Sequence, residues 1–252
     1  MTVLLILRAS FLRFCAFILI TNHCRAVWHT TFCVVSAPRS QSYLYEVLTG
    51  FEAQHVMALD GAGLMVVDVA GNATSGYIGL HNREMAKCDY NDVPGTKGLP
   101  SCMDRQMSLD VTGVLAQCAN ITTGWVVLIE DDCVPCPGAV DEVLTTLGRL
   151  STRHTSLARF SKFLRATGIP ARKVARFRDY VRSRLYTHPY DITRVEDWDP
   201  MPTSDGVPQY YVHDRNIFHH VGTVSTVDAK NTIEFQREYA ALRGDVCWQR
   251  DI

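Results

Sequence analysis

At 252 residues, with hydrophobic residues at 47%, the chain has the size and apolar content of one ordinary domain with a real core. Lysine and arginine number 25 against 26 acidic residues, a formal charge of −1. That balance speaks against a nucleic-acid binder or an acidic tail, and the sequence holds no fixed-period repeat or low-complexity tract.

Residues 3–20 are mostly apolar but carry Arg8 and Arg13. The uninterrupted apolar run, 14–20, is seven residues, whereas a bilayer span takes roughly 20. A positive start, a short apolar run and Ala26 as a cleavage position fit a signal peptide. A poor signal anchor fits as well, and a first core helix is the structural alternative. Residues 1–27 are therefore read as signal peptide or signal anchor, and 28–252 as a single domain. Seven of the nine cysteines follow the leader: Cys33, Cys88, Cys102, Cys118, Cys133, Cys136 and Cys247. That odd number leaves one unpaired or paired with Cys24. Two sequons, Asn72-Ala73-Thr74 and Asn120-Ile121-Thr122, agree with a secretory lumen, Golgi or ER, where disulfides persist.

Residues 31–36 read as a buried strand ending at Ala37-Pro38-Arg39. Residues 41–54 carry a helix pattern, with Tyr45, Leu48 and Phe51 at three-residue spacing. A second buried strand covers 64–69, and a polar loop follows to about Ser101. Residues 104–118 predict a helix. Trp125-Val126-Val127-Leu128-Ile129 is a third buried strand that runs into Glu130-Asp131-Asp132, and Pro137 opens a helix at its first turn, running to about Leu150. Residues 171–185 are a basic helix, and 186–208 are loop-like. Short strands are expected at 209–212 and 216–221, and a closing helix at 234–243. Strands alternating with helices imply an α/β fold with a mostly parallel central sheet, whose ligands sit at the carboxyl ends of the strands. Arg39, Asp68 and the acidic triplet each fall at or beside such an end.

Three adjacent carboxylates repel one another unless a cation neutralises them. A hard divalent cation with oxygen ligands does so and can bridge a diphosphate. The structural alternative is an acidic turn capping the next helix. Cys133-Val134-Pro135-Cys136 is read as contributing a structural disulfide to another cysteine, ahead of a redox pair or half a zinc site. In Phe218-His219-His220-Val221-Gly222, strand alternation sends the two imidazoles opposite ways, so one can meet a metal while the other packs. Between Arg149 and Arg184 stand eleven basic residues and one acidic one, mostly a solvated face, with one or two available for an anionic ligand.

Taken in order, Val35-Ser36-Ala37-Pro38-Arg39, Tyr43-Leu44-Tyr45-Glu46, Val66-Val67-Asp68, Arg105-Gln106, Trp125 through Asp132, Pro189-Tyr190-Asp191 and His220-Val221-Gly222-Thr223-Val224-Ser225 form a familiar series. The sequence resembles the GT-A (Rossmann-like) glycosyltransferases that include the GalNAc transferase acting on GPI anchors, and is more distantly similar to N-acetylglucosaminyltransferase IV. The resemblance spans about residues 30 to 245. It implies inverting, Mn²⁺- or Mg²⁺-dependent transfer of GalNAc, GlcNAc or Gal from a UDP-sugar to a glycan or GPI-glycolipid acceptor. It further implies that Asp132 binds the metal, that Glu130 or Asp131 contacts ribose or metal, and that Ser36, Ala37 and Arg39 line the uridine. Asp68 would lie near the nucleobase, Arg105 near the diphosphate, and His220 in the metal shell. The chain departs from the GPI-modifying enzyme in having no internal apolar run that would supply its membrane hairpin.

An inverting transfer needs a carboxylate base for the acceptor hydroxyl. Asp191 is the first choice, with Glu196, Asp197 and Asp205 in the same stretch. Tyr186, Tyr190 and Trp198 are available as a sugar platform or as core. The competing readings are a non-catalytic lumenal sugar-binding or adaptor protein of the same fold, a metal-dependent phosphodiesterase, and a thiol oxidoreductase built on Cys133.

Overall fold

A computed structural model describes residues 28–37, 42–69, 77–88, 101–161, 166–187, 209–214 and 216–221. In chain order the elements are β1 (Trp28–Ser36), α1 (Leu44–Ala53), β2 (Ala62–Asp68), β3 (Ile78–Gly79), α2 (Cys102–Ala119), β4 (Thr122–Glu130), β5 (Cys133–Pro135), α3 (Ala139–Arg149), β6 (Thr155–Arg159), β7 (Ala166–Pro170), α4 (Val174–Ser183), β8 (Gln209–Val212) and β9 (Phe218–His220). A seven-stranded sheet has the order β3-β2-β1-β4-β7-β6-β8, and β5 pairs with β9 in a separate ribbon. Within the large sheet β7 alone runs against its neighbours β4 and β6, so the sheet is mostly parallel, as the sequence predicts.

The central strands are near-continuous apolar runs because helices cover both faces. Phe32, Val34, Trp125, Val127 and Ile129 pack with Val47 and Phe51 of α1 and Val140, Val143 and Leu147 of α3. The alternate residues Cys33, Val126 and Leu128 pack on the other face with Val114, Leu115 and Cys118 of α2 and Phe177 and Val181 of α4. The Cys33–Cys118 disulfide crosses that second interface and ties β1 to α2.

Several boundaries differ from expectation for identifiable reasons. Helix α2 starts at Cys102 because Ser101 caps it: its side chain accepts from Asp104 N (3.1 Å), and Asp104 Oδ2 accepts from Ser101 N (2.8 Å). Pro137 does not open α3; Gly138 precedes the helix with φ 79°, a conformation suited to glycine. The basic helix is split into a 3₁₀ turn, Ala171–Lys173, and α4. Strands β3, β5, β6 and β7 were not expected. They are two to five residues long, and β7 contains Gly168 and Pro170, so none carries a long apolar or alternating run. The expected helix at 234–243 lies outside the described residues. Among the described residues no helix is long and apolar enough to cross a membrane.

Candidate functional site

The chain lays down β1, β2 and β3 side by side, then returns to the other side of β1 for β4. Strand order therefore reverses between β1 and β4, and a crevice opens at their carboxyl ends. Ser36 and Ala37 close β1 at that edge. Asp68, the last residue of β2, is the register partner of Ser36. Glu130 ends β4, with Asp131 and Asp132 directly after it. Helix α2 ends just before the amino end of β4, so its first turns, with Arg105, come back to the same edge.

Hydrogen bonds fix the acidic segment. Asp131 Oδ2 accepts from Ala37 N at 3.1 Å, clamping the end of β4 to the end of β1. The Asp132 carbonyl accepts from Val221 N at 2.9 Å. In the β5–β9 ribbon Cys133 stands opposite His220, and His220 Nε2 lies 3.0 Å from Asp132 Oδ2. Asp131 and Asp132 are 2% and 4% exposed. Donor atoms of Glu130, Asp132 and Cys133 all lie within 4.8 Å of one another. Half-buried Glu130 and buried Asp132 at this spacing repel more than they would in water, and a divalent cation relieves the repulsion. The donor set thus fits such an ion.

Arg105 is buried, and its guanidinium carbon lies 5.2 Å from the ring centroid of half-exposed Tyr186. Further along the same helix, Asp110 accepts from Arg83 through both carboxylate oxygens (Nε–Oδ1 2.8 Å, Nη2–Oδ2 2.7 Å). Those bonds raise the Arg83 pKa against the opposing effect of burial, and the charge of Asp68 adds to the rise. Gln106 Nε2 also donates to Asp110 Oδ1 at 2.9 Å, and Ala86 N donates to Gln106 Oε1 at 2.9 Å. With the Cys88–Cys102 disulfide, these contacts fasten the segment after β3 onto α2.

Ser36, Ala37, Asp68, Glu130, Asp131, Asp132 and His220 are thus brought to this edge by strand pairing and hydrogen bonds, and Arg105 by the direction of α2. Arg39, Asp191 and Glu196 lie outside the described residues, as do Asp197, Asp205, Tyr190 and Trp198. Of the two cysteines in Cys133-Val134-Pro135-Cys136, Cys136 is disulfide-bonded, whereas Cys133 is a buried thiol. The proximity of Cys133 to the carboxylates was not anticipated. Its place next to the triplet in sequence was the available signal. Three basic residues of the stretch from 149 to 184 are engaged within the fold. Lys173 Nζ donates to the carbonyls of Thr155 (2.7 Å) and Arg153 (3.1 Å), Arg172 to that of Thr152 (2.8 Å), and Arg182 pairs with Glu84.

No family model and no curated protein matches the sequence. Among solved structures, the fold is similar to the crystal structure of a glycosyltransferase involved in the glycosylation of the major capsid of PBCV-1. The identity is 12% and the TM-score 0.44, over 73% of this chain and 81% of that one. Neither value assigns an activity.

Proposed function

We propose that the chain is a metal-dependent inverting glycosyltransferase of GT-A type that takes its sugar (GalNAc, GlcNAc or Gal) from a UDP-sugar. The observation that carries this reading is the meeting of Glu130 and Asp132 at the reversal point between β1 and β4. A nucleotide diphosphate and a divalent cation suit such an edge by charge and by topology. The acceptor is a glycan or GPI-glycolipid of the secretory lumen, and the N-terminal segment is its leader or anchor.

Mn²⁺ or Mg²⁺ would be held by Glu130 and Asp132 and would neutralise the charge that develops on the departing diphosphate. Ala37, fastened to Asp131, and Ser36 form the floor for the nucleoside. Asp68 stands beside them for the base. Arg105, shielded by Tyr186, brings a fixed positive charge to the diphosphate side. His220 steadies Asp132. Asp191 or Glu196 takes the proton of the attacking acceptor hydroxyl.

Calorimetry of UDP with and without Mn²⁺ tests this. Binding is expected to require Mn²⁺ and to be lost in Asp132→Ala. UDP binding indifferent to both would end the proposal. A screen of UDP-sugars for metal-dependent hydrolysis then names the donor.

A further inference from the structure

We infer that Cys133 supplies the third protein ligand atom of the donor-site cation, and that the site therefore prefers a cation that accepts a thiolate over Mg²⁺. The inference rests on the metal reading above and specifies its chemistry.

The two oxygens of Asp132 face different partners. Oδ2 is 3.0 Å from His220 Nε2, a hydrogen-bonding distance. Oδ1 is 3.9 Å from Cys133 Sγ. An imidazole hydrogen-bonded to one oxygen of a ligating carboxylate is the usual arrangement of an outer residue that orients a ligand. The thiol on the other side donates to Oδ1 across a longer gap. A cation with a metal–sulfur bond of about 2.3 Å and a metal–oxygen bond of about 2.1 Å holds the two atoms roughly 3.6 Å apart at a tetrahedral angle. The observed 3.9 Å is close to that separation. Glu130 contributes the remaining atom of a group that fits within 4.8 Å. The β5–β9 pairing sets Cys133 directly across from His220, so one short ribbon delivers the ligand and the orienting imidazole together.

Chemistry follows from that donor set. Mg²⁺ demands oxygen ligands in near-octahedral geometry and binds sulfur poorly. Thiolate ligands favour Zn²⁺-like ions, and the thiol releases its proton when the metal enters. His220 then acts as a positioning residue.

The test uses the full chain with Cd²⁺ as the probe, read by the ultraviolet thiolate-to-metal charge-transfer band. The wild type is expected to show one saturable band that disappears in Cys133→Ser and Cys133→Ala and survives in His220→Gln. The preference for Zn²⁺ over Mg²⁺ is expected to fall about tenfold or more in Cys133→Ser. The wild-type arm needs no variant to fold. An absent wild-type band, with Mn²⁺-dependent UDP binding intact, overturns the role of Cys133 and leaves the metal reading standing. A band that persists in Cys133→Ala comes from another thiol and overturns it equally. Loss of both the band and Mn²⁺-dependent UDP binding defeats the two together.

Discussion

Asp110 and Asp132 are buried to nearly the same degree, 6% and 4% exposed, yet they keep opposite company. Asp110 gathers hydrogen-bond donors and a permanent cation: both arms of Arg83 and the amide of Gln106. Asp132 gathers other potential metal ligands: Glu130, Cys133 and the titratable ring of His220. A carboxylate saturated by arginine locks two elements together and has little capacity left. A carboxylate beside further potential ligand atoms keeps the donor chemistry that a divalent cation takes. Burial alone does not tell the two acids apart; the chemistry of their neighbours does.

Exchanging each acid for its amide should pull the two apart. Asp132→Asn is expected to weaken Mn²⁺-dependent UDP binding by about 100-fold or more, measured by calorimetry. Its thermal stability should hold or rise, because one charge leaves a crowded acidic cluster. Asp110→Asn should do the reverse, costing about 2 kcal/mol in denaturant unfolding while UDP binding is kept. If both amides behave alike, the contrast fails. His220→Gln should reduce metal affinity about tenfold, since it removes an orienting contact and leaves the ligand atoms in place.

A third buried charge supplies the smallest effect. Burial pushes the Lys173 amine down to about 8, and the neighbouring Arg172 and Arg176 add to the fall. The folded chain releases this proton near pH 8, whereas an unfolded lysine keeps it to about 10.4. Unfolding between those values takes up a proton, so this residue makes stability rise with pH across the window and contributes no slope below it. Lys173→Met should flatten that rise in melting temperatures measured from pH 8 to 10.

Strands β1, β2 and β4 are legible in the sequence because they are buried on both faces. Runs such as Trp125 to Ile129 announce themselves without alternation. Strands β6 and β7 are not. Thr155–Arg159 ends in a basic residue, and Ala166–Pro170 holds a glycine and a proline, so its pairing depends on neighbours rather than on its own composition. The acidic segment could be placed at a strand end for the same reason that β4 was legible. The resemblance puts His220 beside Asp132, but the two backbone donors to Asp131 and Asp132 have no signal in the sequence. Ala37 N and Val221 N carry no trace of their role in residue type. The C-x-x-C spacing points to a disulfide, which Cys136 forms, and carries no signal for the approach of Cys133 to Asp132.

The ribbon of β5 and β9 bears on how the protein is made. It joins the segment after the acidic triplet to one that leaves the ribosome much later. At roughly 5–20 residues per second, several seconds of synthesis separate Cys133 from His220. Until then the nascent chain has Glu130 and Asp132 but neither the imidazole against Asp132 nor the Val221 amide on its carbonyl. Assembly of the site is therefore a late event in biogenesis, after the central parallel strands have emerged.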